Sequence, residues 1–505
     1  MSKYLIAHDL GTSGDKATLF CEDGTLIHSV TKAYPIYYGE KGAVEQNPEE
    51  WWQVVCETTQ ELLTKVDPHS VAAVSFSGQM MGCTCMDREG RLLRNSIIWA
   101  DTRSVAQEKI IEERYGREKF FHTTGFRLNP SYSITKLMWV KEHEPEIYRN
   151  TYKTLCCKDY IVYRLTGVFV TDHTDASLTL AYDINKRGWA YDVMEAAGVD
   201  PEKFPAIEKS ATVVGEVTRE ASAQCGLPMG TPVVLGSGDG GAGRVGTGVV
   251  KPGRSYSSLG TSAWVSVCTE QPVFDAKERV VNVVNADPEY VTVSGTMQAC
   301  GASINWMREN LCQEEIALAR ETGISKYEYI NANAAKSPVG ANGLLFLPYL
   351  HGERAPHWNA HARGCFIGLT MKHTVNDMKR AVMEGVALNM GLIFQAIREN
   401  DIAIAGTPKV IGGCIKSPIV KQALADIYNI DLALTNLPDE ATSMGAAILA
   451  GCGVGLYPHQ DMCERFSRVV ETVHPIPENV RKYREILPVF QEAYEALRDV
   501  FEKLA

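Results

Sequence analysis

The chain has 505 residues, more than one hydrophobic core can organise, so two or three domains are expected. Hydrophobic residues make up 45% and charged residues 22%, the composition of an ordinary globular protein. A formal net charge of −11 argues against non-specific binding to nucleic acid or to an anionic membrane, and no apolar run approaches the roughly 18 residues of a membrane span.

The opening Met1-Ser2-Lys3-Tyr4-Leu5 runs straight into a strand with no signal-peptide pattern. Tyr4–Asp9, Lys16–Phe20 and Leu26–Tyr34 read as strands, with Glu22-Asp23-Gly24 as a hairpin turn. Pro48-Glu49-Glu50 opens a helix to about Lys65, because proline and early carboxylates suit a helix start. Val71–Phe76 is a β-branched run ending in Ser77-Gly78-Gln79. Three hairpin-linked strands, a helix and a fourth strand are therefore predicted. Helical, charged segments follow (Ala106–Arg117, Ile134–Glu144), then a glycine-rich turn at 236–248. The pattern then repeats loosely: strands over Ser255–Leu259, Ala263–Cys268 and Tyr290–Ser294, and a helix from Ala302. Val410-Ile411-Gly412-Gly413 reads as a strand and turn before a helix over Ile419–Tyr428, and Asn479–Leu504 has helical apolar spacing. The fold class is mixed α/β with two similar lobes, divided as 1–247 and 248–505. Fourteen cysteines are scattered without zinc spacing or any Cys-x-x-Cys, which predicts a reducing, cytoplasmic setting.

Two loops stand out. His8-Asp9-Leu10-Gly11-Thr12-Ser13-Gly14 and Ser258-Leu259-Gly260-Thr261-Ser262 lie about half a chain apart, each between two strand signals. Glycine admits close approach, and the hydroxyls and successive N–H groups of Gly-Thr-Ser can donate to phosphate oxygens. One such loop is a common hairpin turn; two suggest a duplicated phosphate clamp around a cleft. Asp239, among five glycines at a strand end, is either a substrate-facing carboxylate or the cap of a following helix. Asp9 is either a partner for hydrated Mg²⁺ or a turn aspartate bonding its own loop. Lys16 either reaches phosphate or is a solvated strand residue. The Gly412-Gly413 turn before a helix suits an anion or a nucleobase edge. No Gly-x-x-x-x-Gly-Lys-Ser/Thr occurs, and the Gly-x-Gly-x-x-Gly at 236–241 has no ribose-binding acid about 20 residues later.

Ten ordered segments make the chain resemble the FGGY family of carbohydrate kinases along nearly its whole length, most closely its xylulokinase branch. They are Asp9-Leu10-Gly11-Thr12-Ser13, Ser77-Gly78-Gln79-Met80, Trp99-Ala100-Asp101-Thr102-Arg103, Lys158-Asp159-Tyr160, Gly238-Asp239-Gly240-Gly241-Ala242, Leu259-Gly260-Thr261-Ser262, the stretches 343–356 and 362–369, Ile411-Gly412-Gly413 and Met444-Gly445-Ala446-Ala447. The resemblance implies two ribonuclease-H-like lobes, as in actin and hexokinase, with ATP and sugar meeting in the central cleft. It implies that Asp239 is the base on the sugar hydroxyl and that Asp9 positions Mg²⁺ through water. Thr12, Ser13 and Thr261 would hold phosphate, with Lys16, Gly260, Ser262 and Gly301 beside them. Gly412 and Gly413, with Lys416, would line the nucleoside site, and Gln79, Met80 and Met81 the sugar site.

Two departures are visible. Met81 stands where xylulokinases usually carry histidine, which leaves the sugar open; Cys414 and Lys416 stand where a third glycine and an arginine are usual, which bears on nucleotide affinity. Asp101 and Arg103 read equally as sugar ligands or as a salt bridge, Trp99 as packed against a sugar face or, in preference, as core, and Arg354 and Arg363 as braces of the cleft. Asp239 is expected near the ordinary carboxylate pKa of about 3.9 and ionised. The expected reaction is transfer of the ATP γ-phosphoryl group to a ketopentose, D-xylulose first. Ribulose, gluconate, erythritol, glycerol or an autoinducer-2-type acceptor are alternatives, as is a non-sugar actin-like ATPase. Lobe closure is expected to exclude water, and a homodimer is the default assembly.

Overall fold

The computed structural model describes residues 2–504. The first sheet begins with β1 (Tyr4–Leu10), β2 (Gly14–Cys21) and β3 (Leu26–Ala33), an antiparallel meander. Helix α1 (Pro48–Leu63) follows; Asn47 accepts the Glu49 N–H at its start, and Pro48 and two glutamates fill its first turn. Its buried face, with Trp51, Val55 and Leu62, covers one side of the sheet. Strand β4 (Val71–Gly78) returns parallel to β1, and β5 (Val213–Glu216), β6 (Pro232–Val234) and β7 (Ser237–Gly238) complete the order β5-β6-β4-β1-β2-β3, with β7 beside β4.

The register of the parallel strands builds the cleft floor. Asp9 lies opposite Ser77, Leu10 opposite Gly78, and Ser237 and Gly238 lie opposite the same two residues on the other side. Carboxyl ends of parallel strands are where α/β sheets bind ligands. Helix α2 (Asp239–Thr247) starts directly at this edge.

The second sheet repeats the plan. Strands β8 (Ser255–Leu259), β9 (Ala263–Thr269), β10 (Val281–Val284) and β11 (Val291–Met297) are followed by α3 (Gly301–Leu311) and the long helix α4 (Val375–Glu399). Strand β12 (Lys409–Ile411) runs parallel to β8, then come α5 (Pro418–Tyr428), β13 (Leu432–Thr435), α6 (Ala441–Gly453), β14 (Val469–Val473) and α7 (Pro477–Lys503). The order is β10-β11-β9-β8-β12-β13-β14. Ser258 pairs with Ile411, so the Gly412 turn emerges beside the Gly260 loop.

Three features differ from the sequence reading. The helices over residues 105–166 do not follow a finished sheet; they interrupt the first sheet, whose β5 and β6 come after them. The segment read as one helix to Arg117 breaks at Gly116, where φ is +87°, into Val105–Tyr115 and Arg117–Thr124. Strand β10 was not anticipated; it is a short run, Val281–Val284, ahead of the turn at Asp287-Pro288.

Helix α6 packs on the first sheet. Met444, Ile448 and Leu449 share a core with Leu5, Ala7 and Phe20 of β1 and β2 and with Val245 of α2. It crosses α2 at backbone contact: a methyl group on Gly445 would lie 1.8 Å from the Ala242 carbonyl oxygen, and one on Gly246 would lie 1.9 Å from that of Ala441. Gly445→Ala is therefore expected to destabilise the protein by about 1–3 kcal/mol. Gly188→Ala, where nothing lies within 4 Å of the added carbon, should change it by less than about 0.5 kcal/mol. Urea midpoints of the two variants check this.

Candidate active site

Asp9 and Asp239 stand together at the shared strand edge. Asp9 Oδ1 accepts the Ser77 hydroxyl at 2.8 Å, and Oδ2 accepts the Thr442 hydroxyl, from α6, at 2.6 Å. Asp239 opens α2 and is solvent-exposed. Protein nevertheless surrounds it closely enough that desolvation, with the negative charge of Asp9, pushes its pKa up to about 6; the Gly240 N–H at 2.6 Å and the Arg244 guanidinium act the other way. This corrects the expected ordinary value near 3.9. The reason is first the low-dielectric wall and then the company of a second carboxylate. Neither carboxylate has a cationic side chain within ion-pair distance among the described residues.

A buried network fixes the start of α2. The Gly238 N–H donates to Thr174 Oγ1 at 2.9 Å, and Thr174 Oγ1 donates to Asp172 Oδ2 at 2.7 Å. Asp172 also accepts the Ser210 hydroxyl at 2.7 Å and pairs with Lys158 at 2.9 Å. Lys158 is wholly buried and also meets Asp159 at 2.5 Å and Asp175 at 3.1 Å. Burial, with the charges of Asp159 and Asp172, raises the Asp175 pKa well above its ordinary value against the pull of Lys158. Cys156, Asp159 and Asp175 lie close enough to share an ion, but the Lys158 ammonium already supplies the positive charge there.

The first loop is held in shape by side chains. Tyr34 donates its hydroxyl to the Gly11 carbonyl, Gln46 Nε2 donates to the Thr12 carbonyl at 2.8 Å, and Trp99 Nε1 donates to Thr12 Oγ1 at 2.8 Å. Trp99 is 37% exposed, so it flanks the loop and is not core as expected. Ser13 is exposed. Gln79 donates to Gln46 Oε1 at 2.7 Å, leaving its own buried Oε1 without a partner. Met80 is buried against Gly238, where a methyl group would lie 2.4 Å from its side chain. Met81 is half-buried with φ +64°, and its carbonyl accepts Lys136 Nζ at 2.8 Å. Desolvation pulls the Lys136 pKa down to about 7.

Of the two readings of Asp101 and Arg103, the structure shows the salt bridge. Asp101 has no exposed surface; its oxygens take the Val44 N–H and a bidentate grip from Arg103, which also binds Glu45 at 2.8 Å. The pair braces the wall behind the first loop. Lys16 and Lys416 converge on one acidic segment: Lys16 pairs with Glu440 at 3.1 Å and Lys416 with Asp439 at 3.2 Å.

On the opposite lobe a cavity of about 590 Å³ is lined by Gly260, Thr261, Gly301, Gly413 and Lys416, five residues marked for nucleotide. Ile304, Met307 and Ile330 give it an apolar wall. Gly412 has φ +96°, and a methyl group there would lie 2.6 Å from the Leu259 carbonyl oxygen. The turn thus packs onto the second loop, and Gly413 faces open space. Ser262 does not line this cavity. A larger concavity of about 910 Å³ lies in the first lobe, beside Asp87–Leu93 and Arg149–Tyr152. It contains none of the motif residues.

A duplicated loop on two repeated sheets, with a carboxylate pair at their common cleft, is the arrangement of a phosphotransferase of the actin and hexokinase fold. The chain belongs to the FGGY family of carbohydrate kinases: it matches the family's N-terminal domain over residues 4–246 and its C-terminal domain over 255–454. It is 32% identical to the xylulose kinase of Bacillus subtilis over 502 residues, covering 99% of this chain and 98% of that one. It is 29% identical to the gluconokinase of the same organism over 510 residues, covering 100% and 98%. The crystal structure of gluconate kinase from Lactobacillus acidophilus superposes with a TM-score of 0.93 at 28% identity and full coverage of both chains. The protein is a xylulokinase-like sugar kinase, and ATP is the phosphate donor of its family.

Sequence reading missed Thr174, Asp172, Thr442, Gln46 and Lys136. Thr174, Thr442, Gln46 and Lys136 act on partners far away in the chain, and Asp172 acts through Thr174, so no local spacing marks the role of any of them. Thr174→Val should lower kcat roughly 10–100-fold, the cost of a misplaced reacting group, with KM for ATP unchanged. Thr174→Ser, which keeps the hydroxyl, should stay near wild type. Steady-state kinetics of both variants test this.

Proposed function

We propose that this kinase transfers the γ-phosphoryl group of ATP to a hydroxyl of a ketopentose, D-xylulose in the first place, giving D-xylulose 5-phosphate. The observation that carries the reading is Asp239, an exposed carboxylate held rigidly at the floor of the cleft between a phosphate-type loop and the sugar-side residues. Full-length similarity to xylulose kinases favours the ketopentose. The comparable similarity to gluconokinases, and Met81 in place of the usual histidine, make gluconate the second candidate.

In this reading residues 1–247 carry the sugar and the first loop, and residues 248–505 carry the nucleotide. The adenosine occupies the 590 Å³ cavity, against Ile304 and Ile330, with the Gly412-Gly413 turn at its edge. The phosphates lie between Gly260-Thr261-Ser262 and Thr12-Ser13, and Lys16 and Lys416 leave Asp439 and Glu440 for the phosphate oxygens. Gln79 meets the sugar through its unpartnered Oε1, beside Met80 and Met81.

Asp9 fits a hydrated Mg²⁺: each of its oxygens accepts one hydroxyl and keeps a lone pair, and two carboxylates face the cleft without a cation. When bound there, the ion would offset charge on the phosphates. Asp239 orients the acceptor hydroxyl and takes its proton as the new P–O bond forms. Phosphoryl transfer has a loose transition state, so this base acts late and chiefly aligns the hydroxyl, a contribution of about 10²–10⁴-fold. Fourteen unpaired thiols suit a reducing, cytoplasmic setting. No helix among the described residues is long and apolar enough to cross a membrane.

ADP release measured over D-xylulose, L-xylulose, D-ribulose, gluconate, glycerol and erythritol tests the reading. D-Xylulose should give the highest kcat/KM. Gluconate in first place would replace the acceptor, and no stimulation by any polyol would end the proposal. Because Asp239 must be ionised, kcat/KM should fall on the acid side with an apparent pKa near 6, and Asp239→Asn should lower kcat by about 10²–10⁴-fold while ATP still binds.

Ionisation of Asp239 also carries a stability cost. Its folded-state pKa lies above the ordinary value of 3.8, so the cost is absent at low pH and grows as pH rises from about 4 to 6. Asp239→Asn should accordingly melt at a higher temperature than wild type at pH 7.5, with the gap narrowing towards pH 5.

A further inference from the structure

We propose that Cys300 and Cys414 form a thiol modification site in the wall of the nucleotide cavity, where an oxidant of the peroxide class joins them as a disulfide and shuts nucleotide out. The proposal rests on the assignment of that cavity to the nucleotide.

The two sulfurs come from segments 114 residues apart and stand 3.9 Å from each other. Cys300 is the residue before α3 and has no exposed surface. Cys414 sits in the Gly413–Lys416 turn, is partly exposed and lines the cavity. Its sulfur lies 3.7 Å from the carbonyl oxygen of Gly260. A methyl group on Gly301 would lie 3.3 Å from the same sulfur. One sulfur is thus open to a small oxidant and the other is a sheltered neighbour within reach.

The pair also has the asymmetry that such chemistry uses. The hydrogen bond from Cys300 favours the Cys414 thiolate and lowers its pKa, while it raises that of Cys300. The Cys414 thiolate attacks one peroxide oxygen; the O–O bond breaks, and the departing hydroxide takes a proton to become water. Cys414 is then a sulfenic acid. Cys300 loses its proton and attacks that sulfur, the S–O bond breaks, and the second oxygen leaves as water with the Cys300 proton. In sum two thiols and one hydrogen peroxide give one disulfide and two waters.

Joining the sulfurs requires them to close from 3.9 Å to bonding distance. That draws the Gly413–Lys416 turn towards the start of α3, across the cavity that both segments line. The Gly260 carbonyl, which accepts the Gly301 N–H at 2.9 Å, couples the movement to the second phosphate loop.

Full-length protein is treated with hydrogen peroxide with and without saturating ADP, digested under alkylating conditions and examined by mass spectrometry. Each sample is also assayed before and after dithiothreitol. The expected result is a Cys300–Cys414 linked peptide, suppressed by ADP, with KM for ATP raised at least tenfold and restored by dithiothreitol. Cys300→Ser should give no linked peptide and keep its own KM for ATP through the same treatment. Absence of the linked peptide in wild type, or a linked peptide with unchanged KM for ATP, overturns the proposal.

Gly413→Leu, which fills the open space at the turn, separates the two readings. If it raises KM for ATP while peroxide forms no link, the nucleotide assignment stands and the thiol site falls. If it leaves KM unchanged, the cavity assignment falls, and the thiol proposal falls with it.

Discussion

The parallel pairing of β1, β4 and β7 is the constraint from which the site follows. It brings Asp9, Ser77 and Gly238, spread over some 230 residues of sequence, to one level at one edge of a twisted sheet. A slip of one residue in β4 would turn Ser77 away from Asp9, since strand side chains alternate between faces. β1 resists such a slip because both of its faces are buried: Leu5 and Ala7 pack towards α6, and Ile6 and Leu10 pack towards α1. Apolar packing thereby sets the position of two carboxylates that, left to electrostatics, would separate.

The electrostatics behind this edge are arranged to hold geometry. Lys158 among Asp159, Asp172 and Asp175 is a buried cluster with more acids than bases, and such clusters rarely add net stability over an apolar replacement. Its effect here is directional. It orients Asp172, which orients Thr174, which holds the N–H before Asp239. Asp239 itself is kept in surroundings that disfavour its charge, the common state of a group retained for reactivity.

Much of the fold was legible locally. The two Gly-Thr-Ser loops, the α1 start at Pro48 and the repeated meander all rest on short-range rules: turn chemistry, capping and period-two burial. What stayed hidden depends on contacts that no window contains. Thr174 is 64 residues from the Gly238 N–H that it accepts, and Thr442 is 433 residues from Asp9. Asp101 and Arg103 carry the residue types of a sugar site, yet their spacing of two lets them chelate each other. Trp99 looked like core because isolated aromatics usually are, and only the loop opposite gives its N–H a reason to face outward. The raised pKa of Asp239 was invisible because it comes first from burial by the folded chain and then from Asp9, 230 positions earlier in the sequence.

The glycine crossing of α2 and α6 makes one helix serve as both pivot and pointer. Gly246 marks the fulcrum and Asp239 the tip, seven residues away, or about 10 Å at 1.5 Å of rise per residue. With backbone meeting backbone at the fulcrum, no side chain can be added there without moving one helix off the other. A tilt of about 10° across such an arm would displace the carboxylate by about 2 Å. The helix is therefore pinned twice, at the glycine crossing and at the Gly238 N–H held by Thr174, and the reacting carboxylate stands at the second pin.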